Sequence, residues 1–144
     1  MTPVAIKNKI KAILAADSDL IAYPIKNIFE GIRDNVSQDD YPFIVIEPSD
    51  NAEGTRRDVN GTIDNTIIFA ITAAIHQYNL DDQLDLIFDL ENKIKIALSQ
   101  DVDLNGEAVN SRFDRSVYNV EFWPIRAVTI PFVVEYRQQF KTRV

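Results

Sequence analysis

The sequence predicts one α+β domain, residues 1–144, with two main helices flanking a mostly antiparallel β-sheet. Two segments repeat apolar residues at helical spacing, and two others alternate with the period of a strand. The resulting order is α-β-β-loop-β-α-β-β, with no internal repeat and no composition break that would mark a domain boundary.

Thr2-Pro3 has the form of an N-cap followed by proline at the first helical position, where no N–H is missed. Ile6, Ile10, Ile13 and Leu14 then define a helix from Pro3 to about Ala16, with Lys7, Lys9 and Lys11 on its other faces. Asp17-Ser18-Asp19 ends it, and Leu20-Ile21 is expected to tuck the following turn into the core. Ile25–Ile32 alternates loosely, as in a short strand.

Phe43–Glu47 is a short apolar run stopped by Pro48, a strand whose two faces are both covered. Ser49–Asn65 is the most polar stretch and reads as a long loop or an extended hairpin. Thr66–Gln77 is a long strand with Ile67, Phe69, Ile71, Ala73 and Ile75 on one face. Its other face carries Ile68, Ala70, Thr72, Ala74 and His76, whose small side chains suggest close approach of a helix.

The second helix runs from about Asp81 to Ser99, capped by Asn79 or a neighbouring Asp. Asp81, Asp82 and Asp85 suit its positive end, and Lys93 and Lys95 its negative end. Leu84, Ile87, Phe88, Ile94 and Leu98 form its expected core stripe, widened by Leu86 and Leu90 so that two partners cover it. Arg112–Phe122 alternates with one irregularity around Phe113, Val117, Val120 and Phe122, and Trp123-Pro124 makes a corner. Ala127–Arg137 is the clearest strand, and its Pro131 favours an edge position or a bulge, because proline cannot donate to a ladder.

Composition narrows the chemistry. The chain has 144 residues, 46% hydrophobic and 26% charged, enough to bury a core without metal or disulfide. It has no cysteine, which excludes thiolate zinc sites, iron–sulfur clusters, thiol catalysis and disulfides. The first residues lack the layout of a signal peptide, and no apolar run approaches the roughly 20 residues of a membrane helix. A net charge of −7 speaks against a free-standing nucleic-acid binder.

Each motif that suggests chemistry meets a simpler account. Asp101-Val-Asp103-Leu-Asn105-Gly106 opens like a calcium loop, yet Arg112 stands at the twelfth position, where a bidentate Glu is required. His76, the only histidine, ends an apolar strand, and no Gly-x-Ser-x-Gly elbow exists for it to serve. Gly31, Gly54, Gly61 and Gly106 are too scattered for a phosphate loop. The pairs Asp39-Asp40 and Asp81-Asp82 sit where turns and helix starts favour Asp. Asn35-Val-Ser37 and Asn60-Gly61-Thr62 match a glycosylation pattern that has no signal peptide to accompany it. No catalytic residue, cofactor or metal site is therefore assigned, and the chain is expected not to be an enzyme. Arg56-Arg57 is a basic island in an acidic protein, either simply solvated or a contact for an acidic partner surface or passing phosphate.

Taken together, the layout resembles the tail terminator (tail completion or neck) proteins of long-tailed bacteriophages. The resemblance is carried by the N-terminal helix, Tyr41-Pro42-Phe43-Ile44-Val45-Ile46, the polar loop with Arg56-Arg57, and the strand Ile67–Ile75. The helix Leu84–Leu98 and the closing run Pro124–Tyr136 complete it; Pro131 is a departure, expected to interrupt that last strand. The resemblance implies a hexameric ring that caps the head-proximal end of the tail tube, stops its polymerisation and offers the head-joining surface. It implies as partners further copies of the chain, the tail tube protein and a head completion or connector protein. DNA would pass through the lumen without specific binding, no membrane would be involved, and the location would be the virion neck, after assembly in the host cytoplasm. Because the family's long loop often lies on the working surface of the ring, Arg56 and Arg57 are the candidate interface residues. Another tail or neck component, or an unrelated acidic binding module, remains an alternative.

Overall fold

The computed structural model describes residues 2–25, 27–31, 36–49, 54–57, 62–100, 110–119 and 123–139. Helix α1 (Pro3–Ala16) begins as its sequence dictates: the Thr2 hydroxyl accepts the Ala5 amide at 3.2 Å, and Pro3 opens the first turn. Asp17 ends α1 and caps a five-residue helix α2 (Ser18–Ala22), its carboxylate accepting the amides of Asp19 and Leu20. Leu20 is buried as expected, whereas Ile21 points to solvent. One short helical turn has a single inward direction, and Leu20 takes it.

Strands β1 (Asn27–Glu30), β2 (Phe43–Pro48), β3 (Gly54–Arg57) and β4 (Thr62–His76) come next, followed by helix α3 (Leu80–Ser99). Strands β5 (Asn110–Phe113), β6 (Val117–Asn119) and β7 (Ile125–Gln139) close the chain. Among the described residues they build one seven-stranded sheet in the order β1-β2-β4-β7-β5, with β3 paired to β4 and β6 paired to β7. Among the described strands only β1 and β2 run parallel, so the fold is α+β with a mostly antiparallel sheet, as predicted.

The central pair, β4 and β7, stays in register from Thr62↔Gln139 to His76↔Ile125. At about 3.4 Å per residue each strand is roughly 50 Å long, well beyond the usual strand. Alternation decides which residues face the helices. Phe69, Ile71, Ala73 and Ile75 of β4 join Val128, Ile130, Phe132, Val134 and Tyr136 of β7, with Ile44 and Ile46 of β2. Against them pack Ile6, Ile10 and Leu14 of α1 and Ile87, Leu90, Ile94 and Leu98 of α3. Each fully buried Ile or Leu stabilises the fold by about 1.5–3 kcal/mol.

Both helices lie on that one face. The expectation that the small-residue face of β4 (Ala70, Thr72, Ala74) receives a helix is therefore wrong; the bulkier face carries the helical layer. Pro131 is neither at a sheet edge nor in a bulge, and β7 continues through it. Its carbonyl accepts the Asp114 amide at 2.9 Å, so its nitrogen faces the same side, where residues 114–116 interrupt the edge strand between β5 and β6. The missing donor falls in a gap of the neighbouring ladder. That gap is also the irregularity expected in Arg112–Phe122.

Helix α3 is rotated relative to its predicted stripe. Leu84 and Phe88 are 42% and 47% exposed, while Gln83 and Glu91 are buried. Lys93 and Lys95 lie short of the last turn and pair instead with Asp89 and Glu91.

Candidate assembly surface

With both helices on one side, the opposite face of the sheet has no helical layer among the described residues. Three zones follow one another along it. At the His76 end runs a ribbon of rings, Phe29–Phe43–Tyr41–His76–Tyr78–Trp123, with successive centroids 4.8–5.6 Å apart. All its contacts are tilted or edge-on, the arrangement aromatic quadrupoles favour. The middle zone is small: Ala70, Thr72 and Ala74 on β4 stand opposite Pro131, Thr129 and Ala127 on β7. The hydroxyls of Thr72 and Thr129 bond to each other at 3.0 Å; Ala74 is buried beside Phe43 and Val45, and the rest of the strip is half-buried. At the far end the face turns charged. Arg137 grips Asp64 through two nitrogens at 2.8 and 3.4 Å, and Arg112 pairs with Glu135 at 3.2 Å.

Arg56 and Arg57 belong to this far end. They were read as part of a polar loop, but their backbone lies in β3, with Arg56 opposite Asp64 and Arg57 opposite Ile63. Arg56, Asp64 and Arg137 thus form one row across β3, β4 and β7. The polar stretch is an extended hairpin where it is described, continuing β4 by four residues beyond the predicted start at Thr66. The calcium-like segment Asp101–Gly106, Asn60-Gly61-Thr62 up to Gly61, and Asn35 of Asn35-Val-Ser37 lie outside the described residues.

The opposite end of the molecule is held by a residue that the sequence reading passed over. Gln83, 2% exposed, donates from its amide to the carbonyls of Gln77 at 2.6 Å and Pro124 at 3.1 Å. It also accepts from Arg126 Nε at 3.4 Å. One side chain thus joins the end of β4, the start of α3 and the Trp123-Pro124 corner. Trp123, 57% exposed, is oriented by its own bond from Nε1 to the Tyr78 carbonyl at 3.2 Å. A polar residue inside an apolar helical stripe was the available signal.

Glu91 is the other buried polar group. Its Oε1 accepts the Tyr118 hydroxyl at 2.6 Å, and Lys95 Nζ lies 3.4 Å from its Oε2. Burial pushes its pKa up, but the hydroxyls of Ser116 and Tyr118 and the Lys95 ammonium outweigh this and hold it below the ordinary carboxylate value. Tyr118 is raised in return, chiefly by that same hydrogen bond. Beside His76 lies a groove of about 250 Å³ lined by Tyr23, Pro24, Gln38, Tyr41, Pro42, Ile75 and Leu86. Among the described residues no carboxylate lines it to orient the imidazole, and no nucleophile–base–carboxylate series is assembled there. Among the described residues no three His, Asp or Glu side chains converge as metal ligands. No helix among them is long and apolar enough to cross a membrane. The geometry offers surfaces for contact.

No protein-family model matches the sequence, and no curated protein matches it. Among solved structures, a chain described as part of the virion of a native gene transfer agent particle superposes with a TM-score of 0.62 at 14% identity. The match covers 96% of this chain and 100% of that one. At that identity the likeness is one of fold, and it runs over nearly the whole length of both molecules: this chain has the fold of a gene transfer agent virion subunit.

Proposed function

We propose that this protein is a non-enzymatic virion component that forms a ring, of six copies, on the head-proximal end of a phage-type tail tube. There it ends tube growth and presents the surface that joins the head. The observation that carries the reading is the near full-length likeness to a virion chain, joined to the resemblance of its layout to tail terminators. The sheet supports it. A face with aromatic, small and charged zones in sequence gives a subunit two unlike ends, which a heterologous, rotation-closed interface requires. Its partners would be its own copies, the tube protein and a head connector protein, and it would reside in the neck of the virion after assembly in the host cytoplasm. A net charge of −7 suits a channel wall, because like charge keeps passing DNA from adhering. Arg56 and Arg57 would lie at the working interface.

The test reverses the charge of the basic pair on β3. Arg56→Glu with Arg57→Glu is expected to leave the circular dichroism spectrum and Tm near those of the parent while reducing the yield of joined particles. Unchanged particle yield removes both residues from the interface. Growth of the purified protein into filaments, in place of a single closed ring, would identify a tube-type subunit.

A further inference from the structure

We propose that the exposed flank of α3 receives the segment Phe140–Arg143 of a second copy of this chain, and this deepens the ring reading above by naming one of its contacts. The flank is apolar without need of being so: Leu84 and Phe88 stand exposed, and the Tyr118 ring meets Phe88 edge-on at 5.4 Å. Acid borders it. At 3.6 residues per turn, Leu84, Phe88, Asp81 and Asp85 fall within an arc of about 100°. Among the described residues neither Asp81 nor Asp85 is paired with a cation.

An apolar strip rimmed by carboxylates calls for a ligand that pairs an aromatic or aliphatic anchor with positive charge. Phe140-Lys141-Thr142-Arg143 has that composition, with one aromatic ring and two cations in four residues. The segment cannot serve its own copy. It follows Gln139, which lies opposite Thr62 at the far end of the sheet, while Tyr118 on the flank lies opposite Val128. Along β7 that separation is about 36 Å, and four residues span at most about 14 Å. The contact must therefore be made in trans. It runs from the charged end of one subunit to the α3 end of the next, as a head-to-tail ring requires.

Because the chain has no cysteine, the contact is open to direct cross-linking. Leu84→Cys and Thr142→Cys, each alone and then mixed, are treated with a short bis-maleimide and run on denaturing gels. In parallel, native mass spectrometry measures ring formation against concentration for Asp85→Lys, Arg143→Glu and the two combined. A covalent dimer is expected in the mixture alone. Each charge reversal is expected to weaken each contact about two- to fivefold, and their combination to restore it. A ring that forms in the parent but gives no mixed dimer, and whose midpoint neither reversal moves, overturns this contact and leaves the ring standing. A parent chain that stays monomeric at every concentration and gives no dimer overturns both.

Discussion

Replacing Gln83 by Leu tests whether one buried amide holds the Trp123 corner to the body of the protein. Leu is close in volume, so no large cavity opens, and the loss is one of hydrogen bonds. The Pro124 carbonyl keeps a second donor, the Gln77 amide at 2.9 Å, and losing the Gln83 amide there costs about 1 kcal/mol. The Gln77 carbonyl loses its 2.6 Å partner in a nearly closed site, worth about 1–3 kcal/mol. The long contact from Arg126 adds little, and the extra apolar surface of Leu offsets part of the loss. A destabilisation of about 2–3 kcal/mol results, equivalent to a fall in Tm of roughly 6–10 °C for a chain this size. Trp123 is the single tryptophan, so urea unfolding followed by its fluorescence reads both the midpoint and the native state of the corner. The variant should show a lower midpoint and a native emission shifted toward that of a solvated indole. A variant within about 0.5 kcal/mol of the parent, the range of a neutral surface substitution, with unchanged emission, refutes the role given to Gln83.

Three further outcomes are expected. Leu90→Ala should cost about 2–5 kcal/mol and Leu84→Ala under about 1 kcal/mol, because the same side chain is buried at one position and exposed at the other; equal losses in chemical denaturation would mean that α3 is rotated differently. The lowered pKa of Glu91 gives stability that is present above the ordinary carboxylate value and lost as pH falls through its folded value. Tyr118→Phe should therefore be less stable than the parent near pH 7, with the gap closing in acid; a gap constant with pH contradicts this. Burial, helped by nearby Asp89, pushes the Tyr23 phenol up to about 12, so the unfolded phenol ionises first and stability falls as pH rises above the ordinary tyrosine value near 10. Tyr23→Phe should remove a tyrosine that titrates well above the ordinary value in ultraviolet absorbance and flatten the alkaline loss of stability; an unchanged titration refutes the assignment.

Much of the fold was legible where a single period governs a segment. The alternation Val128-Ile130-Phe132-Val134-Tyr136 fixed the inner face of β7, and Thr2-Pro3 fixed the start of α1, because both signals are local. The rotation of α3 was not legible. Its apolar positions suggested Leu84 and Phe88 for the core, but Gln83 turns inward to donate to the carbonyls of Gln77 and Pro124, and Pro124 is 41 residues away. Glu91 turns inward for the same kind of reason, to reach Tyr118. The parallel pairing of β1 with β2, and the gap that accommodates Pro131, also depend on strands distant in sequence. Of the candidate site, the sequence exposed the basic pair Arg56-Arg57 but not the strand that carries them. The helix-free face was masked by its small residues, which read as readily as the floor under a helix.

The central claim is that copies of this chain close into one ring. Native mass spectrometry of the purified protein across a concentration series, with and without isolated tail tubes, addresses it most directly. The account predicts a discrete hexamer with no larger species, and tubes that bear one hexamer at one end and no longer elongate. A protein that remains monomeric in solution and leaves tube growth unaffected would contradict it.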